Sequence, residues 1–326
     1  MLEPKTQRRP RTASDHAGGI RVLYIGGWGR SGSTVLGRLL GRVPGMIFAG
    51  ELNHLWQRGL AEDRLCGCGE AFSRCEHWRA AGEAAYAGWG NVDLAQALAA
   101  GPEGARHRQV PGLLGIGRDQ ALEQRAALLL GLYRGLSVVG GGATIVDSSK
   151  SPPYAMLLGG VPGLDLRVVH LVRDGRAVAY SWAKKVERPD QPGAFMPRFG
   201  TASSALYWLT DNWLFHLMQR RGVAVLRVRY EDLVREPDRW LAAILAHAGH
   251  EHRSERLEEV AAGVDLGTDH TVAGNPMRFA RGPVHVRLDD EWRTRMPARR
   301  RAVFTAIGWP LLARYGYLAR GVRHEE

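Results

Sequence analysis

Small and hydroxyl-bearing residues follow an apolar run near the amino terminus, and together they could bind an anion. The segment is Gly27-Trp28-Gly29-Arg30-Ser31-Gly32-Ser33-Thr34, and we call it the phosphate loop. Backbone N–H groups in such a loop can approach an anion closely, and the N-terminus of a following helix adds about half a positive charge. Ser31, Ser33 and Thr34 contribute hydroxyl donors, and Arg30 contributes a permanent cation. The segment therefore predicts a phosphate or sulfate site.

The phosphate loop differs from a Walker A loop in one chemically important residue. Gly27 and Gly32 match the two glycines of that motif, and Thr34 matches its hydroxyl residue. Position 33 is Ser, whereas a Walker A loop has a lysine there that reaches the terminal phosphates. Its absence counts against hydrolysis of ATP or GTP. A simple turn before a helix remains an alternative interpretation.

A second anion site is predicted after the apolar run at residues 166–172. Arg173 follows that run directly, and Ser181 comes eight residues later. Eight residues span about two helical turns plus the turn that leads into the helix, so both side chains could face one pocket. An arginine fork with a hydroxyl suits a phosphate monoester. The alternative is a surface arginine and an unrelated helical serine.

The elements that must position these residues follow from the apolar pattern. Short apolar runs at 21–25, 46–49, 143–146, 166–172 and 223–228 predict strands, and the segments between them are helical in pattern. Strands that alternate with helices, without hairpin signals, indicate a parallel sheet covered by helices. We therefore predict an α/β fold, a central mostly parallel sheet flanked by helices as in P-loop NTPases. Residues 57–140 form a helical insertion, and the tail after Gly267 is expected to be loop.

Composition sets wider limits on the protein. The chain has 326 residues, of which 45% are apolar and 24% charged, as in an ordinary globular protein. We expect a disordered leader at 1–18 and a single domain at 19–326, with no transmembrane segment and a cytoplasmic location. The net charge of +11 suits an anionic partner, although 40 of the 44 basic residues are arginine, which codon bias could also explain. Zinc-finger spacing and aromatic interleaving are missing, so nucleic acid is not the expected partner.

A strand, then Arg-Ser-Gly-Ser-Thr, then a helix resembles the 5′-phosphosulfate loop of sulfotransferases that use 3′-phosphoadenosine 5′-phosphosulfate (PAPS). The arginine form is similar to that of carbohydrate and tyrosyl-protein sulfotransferases. Arg173 and Ser181 resemble the family's 3′-phosphate motif. Tyr230, after the run at 225–229, resembles the tyrosine near the adenine. The segment 274–282, with Arg278, Arg281 and Gly282, resembles the loop that closes on the 3′-phosphate.

The resemblance implies sulfuryl transfer from PAPS to a hydroxyl of a small-molecule or glycan acceptor, leaving adenosine 3′,5′-bisphosphate. Such a transfer needs a base for the acceptor proton and cations around the leaving oxygen. No metal is required if side chains supply that charge. Two other functions stay open at this stage: a P-loop small-molecule kinase, and a non-catalytic binder of anionic polymers.

Glu51 is the candidate base. It follows the apolar run at 46–49 and Gly50, and a Gly-Glu at the corresponding place acts as base in the tyrosyl-protein enzymes that the chain resembles. A glutamate favoured at a helix N-terminus by the helix dipole is the alternative. His54 is the reserve base.

Lys150 is the candidate partner of the leaving oxygen. It is one of only four lysines and follows Asp147-Ser148-Ser149 at a strand end. An ammonium is a compact donor that suits a single bridging oxygen, although an ordinary surface lysine would also fit the sequence. In the kinase interpretation, Asp147 would be the carboxylate that holds Mg²⁺.

Three cysteines and a histidine lie within twelve residues: Cys66, Cys68, Cys75 and His77. Four such ligands could hold Zn²⁺, although the one-residue first spacing is unusual. A disulfide between Cys75 and either other cysteine is equally compatible with the sequence, as are free thiols. Several bacterial sulfotransferases look similar here, and we interpret the segment as a structural clasp in the acceptor lid.

Overall fold

The computed structural model describes residues 19–100, 107, 110–113, 120–191, 193–250, 266–282 and 288–318. The leader predicted at 1–18 lies outside these ranges. Five strands form one sheet: β1 Ile20–Gly26, β2 Met46–Gly50, β3 Thr144–Lys150, β4 Leu164–Val172 and β5 Ala224–Arg229. Their order is β2-β3-β1-β4-β5, and every pairing between these five strands is parallel. The predicted α/β fold with a central parallel sheet is therefore confirmed.

Helices cover the sheet, and several lie in the described part of residues 57–140. The helices are α1 Ser33–Leu40, α2 Glu76–Tyr86, α3 Leu94–Ala100, α4 Val110–Leu113, α5 Gln120–Val139, α6 Pro152–Gly159, α7 Gly175–Ala183, α8 Thr201–Arg220, α9 Tyr230–Arg235, α10 Pro237–His247, α11 Trp292–Arg295 and α12 Ala298–Arg314. A π-helix at Leu55–Ala61 and short 3₁₀ turns at Leu52–His54, Trp89–Asn91 and Pro276–Phe279 complete the set.

The prediction of loop throughout the tail was wrong for its last part, because α11 and α12 lie there. The helical pattern of α12 is weak in the sequence, because the helix starts with consecutive arginines and contains a proline. The apolar side of α12 is nevertheless buried: Phe304 and Leu312 have no exposed surface, and the Phe304 ring meets Trp208 of α8 edge-on at 5.7 Å between ring centres. Burial of large apolar side chains on a neighbouring helix outweighs the weak local pattern.

The central strand β1 contributes to two cores, one on each face of the sheet. Val22 and Tyr24 pack with α5 and α6 on one face, and Leu23 and Ile25 pack with α1 and α10 on the other. Alternate side chains of a strand point to opposite faces, so a strand covered on both sides is apolar throughout. β1 lies between β3 and β4, so the carboxyl ends of these three strands meet at the middle of one edge, where ligands of open α/β sheets collect.

Candidate active site

A cavity of about 510 Å³ opens at this edge of the sheet. It brings together most of the residues predicted for anion binding and catalysis, which come from the carboxyl ends of β1, β2, β3 and β4. Those that line it are Arg30, Gly32, Ser33, Thr34, Glu51, His54, Lys150, Arg173 and Ser181. Ser31 is not among them; its hydroxyl donates a hydrogen bond to the Trp28 carbonyl at 2.7 Å and so stabilises the loop itself.

Two glycines give the phosphate loop its shape. Gly27 has φ +133°, and a Cβ there would lie 2.3 Å from the carbonyl oxygen of Leu171. Gly32 has φ +91°, and a Cβ there would lie 2.7 Å from the ring of Tyr230. Only glycine fits both the left-handed backbone and the close approach at these positions. Gly32 is also the residue before α1, so the loop leads directly into the helix N-terminus.

Arg30 connects the two predicted anion sites. Its carbonyl accepts a hydrogen bond from Arg173 Nη1 at 3.0 Å, and its guanidinium lies over the Trp182 ring at 4.8 Å. The Nε atom of Arg30 is buried and has no hydrogen-bond partner in the described part of the chain. Burial lowers the pKa of Arg30. A buried guanidinium at the wall of a cavity is stabilised by an anionic ligand.

Arg173 is nearly buried and held on three sides. Its Nη2 atom donates to the Asp289 carbonyl at 2.7 Å and to the Asp289 carboxylate at 3.0 Å, and its guanidinium lies over the Tyr230 ring at 4.9 Å. Ser181, on α7, lines the same cavity. The eight-residue spacing thus brings both side chains to one pocket.

Glu51 and Lys150 form an ion pair between Oε1 and Nζ. Burial raises the pKa of Glu51, but Lys150, His54 and Arg58 outweigh it and bring this pKa to about 2. Burial and the charge of Arg58 lower the pKa of His54 to about 3, so this imidazole is neutral near pH 7. Lys150 has φ +68° and Arg30 has φ +70°, a strained region for residues with a side chain. Such strain clusters at functional sites.

Asp147 does not line the cavity, and it positions the segment that carries Glu51. It is fully buried, and its Oδ1 accepts hydrogen bonds from the backbone N–H groups of Ser149 at 2.8 Å and Leu52 at 3.4 Å. Its Oδ2 accepts the Tyr133 hydroxyl at 2.5 Å. Burial raises the pKa of Asp147 to about 6. Because both oxygens are engaged inside the protein, this carboxylate is poorly placed to hold Mg²⁺ beside a nucleotide.

Comparison with known proteins identifies the family. A family model described as "Sulfotransferase family" matches residues 23–254, which is more than half of the chain. The chain belongs to the sulfotransferase family. Comparison with curated protein sequences found no match.

A solved structure shows the same fold. This sulfotransferase is similar to the sulfotransferase domain from the curacin biosynthetic pathway, with 16% identity and a TM-score of 0.51 over 89% of this chain and 97% of that one. It also matches the sulfotransferase domain of the Synechococcus PCC 7002 olefin synthase, with 21% identity and a TM-score of 0.49 over 94% and 98% of the two chains. Among the helices that the structure describes, none is long and apolar enough to cross a membrane.

Besides Ser31, four predicted cofactor residues of this sulfotransferase lie outside the cavity lining. Tyr230 is buried behind Gly32 and beneath Arg173. Arg278 donates to the carbonyls of Thr271 and Leu65 at 2.7 and 2.8 Å. Arg281 donates to the carbonyls of Gly267 and Gly67 at 3.1 and 2.9 Å, and Gly282 follows it. The two guanidinium groups therefore hold the loop in place here, and their contact with a 3′-phosphate stays a prediction.

Arg38 is a structural anchor that the sequence did not single out. It lies on α1, is almost fully buried, and donates at 2.9 Å to the carbonyls of Met277, Ala280 and Gly267. Its Nε atom lies 2.7 Å from Asp269 Oδ2. It therefore fixes residues 266–282, which we call the C-terminal loop, against the helix that follows the phosphate loop. The sequence did contain a signal for this structural role, since Arg38 stands among the apolar residues of an amphipathic helix.

A histidine–aspartate pair on the cavity wall was also missed. His107 Nε2 and Asp211 Oδ1 are 2.5 Å apart, and both residues line the cavity. The hydrogen bond to Asp211 raises the pKa of His107, while burial raises the pKa of Asp211. Asp211 stands between aromatic residues in the middle of α8. A carboxylate in such a position was the sequence signal that could have indicated a buried polar partner.

The cysteine cluster has a different fourth member from the one predicted. Cys66, Cys68 and Cys75 are free cysteines whose sulfur atoms group with Nδ1 of His270, all within 4.8 Å of one another. His77 is not in this group; its ring stacks on that of His270, with 4.9 Å between ring centres and 9° between planes. The prediction of His77 as fourth ligand was wrong because the C-terminal loop delivers a histidine from 195 residues beyond Cys75.

Proposed function

We propose that this protein transfers the sulfuryl group of PAPS to a hydroxyl of a small-molecule or glycan acceptor. The observation that carries the proposal is the contact between the two anion sites: Arg173 donates to the carbonyl of Arg30, and both line one cavity. A nucleotide with phosphate groups at both its 5′ and 3′ positions presents two anions to such a cavity.

In this proposal the phosphate loop holds the 5′-phosphosulfate. Backbone N–H groups between Gly32 and Thr34, the hydroxyls of Ser33 and Thr34, and the Arg30 guanidinium are its donors. Arg173 and Ser181 bind the 3′-phosphate. Asp289 now occupies one edge of Arg173 and must give way as the phosphate arrives. Trp28 and Trp182, which line the cavity, are available to pack against the nucleoside.

Glu51 takes the proton of the acceptor hydroxyl while the hydroxyl oxygen attacks sulfur. The bond between sulfur and the bridging phosphate oxygen breaks, and its electron pair stays on the phosphate, giving adenosine 3′,5′-bisphosphate. Lys150 stabilises the charge that develops on that oxygen. Lys150, Arg30 and the N-terminus of α1 supply the positive charge that a metal would otherwise provide, so we propose that the transfer proceeds without a metal.

Calorimetry with adenosine 3′,5′-bisphosphate tests the two-anion site directly. We expect Mg²⁺-independent binding, which Arg173→Ala weakens by about ten- to a hundredfold, the value of hydrogen bonds to a charged group. Adenosine 5′-monophosphate, which lacks the 3′-phosphate, should bind both proteins equally. Arg239→Ala is the matched control, because that arginine lies on α10 with 70% of its side chain exposed.

Calorimetry with other ligands, together with an assay of sulfuryl transfer, separates the other functions. Binding of ATP that requires Mg²⁺, with no binding of the bisphosphate, would indicate a small-molecule kinase. Binding of anionic polymers with a steep salt dependence, and no sulfuryl transfer from PAPS to any acceptor, would indicate a polymer binder. Equal bisphosphate affinity in wild type and Arg173→Ala would remove the second anion site from the proposal.

A further inference from the structure

The sulfur and nitrogen atoms of Cys66, Cys68, Cys75 and His270 have the spacing of a metal's ligands. Cys75 Sγ lies 3.6 Å from Cys66 Sγ, 3.8 Å from Cys68 Sγ and 3.3 Å from His270 Nδ1. Cys66 Sγ lies 3.9 Å from the same nitrogen. Tetrahedral zinc with bonds of about 2.3 Å to sulfur and 2.0 Å to nitrogen needs about 3.8 Å between sulfurs and 3.5 Å between sulfur and nitrogen.

From this geometry we infer that the protein binds one structural Zn²⁺ through three thiolates and the imidazole of His270. The ligand set is of the Cys₃His type that closed, structural zinc sites use. A disulfide would join two of the sulfurs, leave the third without a role and give no reason for the imidazole to point at them. All three cysteines are free in the structure.

The local backbone is built for this ligand set. Cys66 and Cys68 lie on a tight turn in which the Gly69 N–H donates to the Cys66 carbonyl at 2.9 Å, and Gly69 has φ +100°. The Cys66 N–H donates to the Glu70 carbonyl at 2.7 Å, and the Cys75 N–H donates to the Ala71 carbonyl at 3.0 Å. These backbone hydrogen bonds hold the ligand-bearing residues in position, as the surroundings of a metal site must do for its ligands.

The fourth ligand arrives on the C-terminal loop, which is fitted tightly to the cysteine turn. The Gly67 N–H donates to the Thr271 carbonyl at 2.9 Å. A Cβ on Gly67 would lie 2.5 Å from both the Asp269 carboxylate and the Thr271 hydroxyl. The absence of a side chain at Gly67 therefore permits the approach that brings His270 to the sulfurs.

The zinc ion would fasten one wall of the cavity. The C-terminal loop carries Gly274 and Asn275, which line the cavity, and the Ala273 carbonyl accepts the backbone N–H of Glu51 at 3.1 Å. A metal bound at His270 ties this loop to the insertion that begins after β2. Its role is to hold the position of the loop, and it takes no part in the sulfuryl transfer.

Metal content tests the site without any substrate, so the result is independent of the proposed function. The full chain, purified under reducing conditions, should contain close to one zinc per chain by mass spectrometry of the metal. Cys75→Ser and His270→Ala should each weaken zinc affinity by at least about tenfold. His77→Ala is the matched control and should retain the metal, because that ring stacks on His270 and contributes no ligand atom.

Cobalt supplies a readout that does not depend on the folding of a variant. Exchange of Co²⁺ into the wild-type protein should give the intense visible bands of tetrahedral cobalt and the ultraviolet charge-transfer band of cobalt bound by thiolates. A wild-type protein that contains no zinc and takes up no cobalt would overturn the inference. So would a disulfide between any two of the cysteines in the native chain, or full zinc retention in both ligand variants.

Discussion

The ammonium of Lys150 and the carboxylate of Glu51 pair across the carboxyl ends of two adjacent strands, β3 and β2. In this state the proposed base and the proposed partner of the leaving oxygen neutralise each other. The pKa of Glu51, about 2, is that of a poor base. A bound 5′-phosphosulfate would compete for the ammonium, and as Lys150 turns to the bridging oxygen, burial would raise the basicity of Glu51. Cofactor binding and activation of the base would then be coupled through one ion pair.

Glu51→Gln tests whether Glu51 is the base that takes the acceptor proton. The amide keeps the shape of the side chain but cannot take a proton, so we expect kcat for sulfuryl transfer to fall about 10²–10⁴-fold. Bisphosphate affinity should not fall and should rise modestly, because the amide no longer competes with the 5′-phosphate for the Lys150 ammonium. His54→Ala is the control and should retain most activity. A larger loss in His54→Ala than in Glu51→Gln would make His54 the base.

Lys150→Met tests the coupling through pH. Above pH 4.5 the wild-type ion pair contributes stability that is lost as pH falls toward 2, because the folded pKa of Glu51 lies below its ordinary value of 4.5. Without the ammonium, burial is less opposed and this pKa rises. The acid limb of kcat/KM should therefore move to higher pH in the variant, together with a fall in kcat of about 10²–10³-fold.

Lys150→Arg keeps the charge and should leave the acid limb near its wild-type position. The comparison is a profile of kcat/KM against pH for the three proteins. If the acid limb of kcat/KM lies at the same pH in Lys150→Met as in the wild type, the ammonium does not control the basicity of Glu51.

The sheet and the centre of the site could be predicted because they depend on local pattern. Apolar runs of strand length alternate with helical segments, and the chemistry-bearing residues follow directly where a strand ends, as Glu51, Lys150 and Arg173 do. In a parallel sheet all such ends meet at one edge. Knowing the strands was therefore enough to bring these side chains together, without any knowledge of side-chain packing.

Contacts between distant segments could not be predicted in this way. The sequence marks Arg278 and Arg281 as cations near the expected phosphate, but it does not show that backbone carbonyls of Leu65 and Gly67 occupy them. The fourth member of the cysteine cluster could not be predicted for the same reason. Ligand spacing favours a nearby histidine, whereas the fold brings His270 from the far end of the chain.

Asp289→Asn tests whether this carboxylate competes with a 3′-phosphate for Arg173. The side chain of Asp289 is 43% exposed, so the ion pair is worth little and the expected gain is modest. We expect the bisphosphate to bind about two- to fivefold more tightly to the variant by calorimetry. The gain should vanish in the Arg173→Ala background, as a double-mutant cycle requires. Weaker binding in Asp289→Asn would instead mean that Asp289 holds Arg173 in its binding position.

Asp211→Asn tests the acceptor side of the cavity. The Asp211 carboxylate raises the pKa of His107, so wild-type His107 keeps its positive charge to higher pH than an ordinary histidine. The stability that the pair contributes is full below pH 6.5 and is lost as pH rises through the folded pKa. In the variant the His107 resonance should titrate at lower pH by NMR, and the wild-type advantage in thermal stability should shrink as pH rises.

Acceptor binding gives the functional side of the same test. A charged imidazole on the cavity wall can orient an acceptor, and its loss should raise the acceptor KM most at pH values where only wild-type His107 is protonated. Bisphosphate affinity should stay unchanged, because neither Asp211 nor His107 is a donor to either phosphate group in the proposal. An unchanged acceptor KM with a shifted His107 titration would assign the pair to stability alone, whereas loss of bisphosphate binding would place it on the cofactor side.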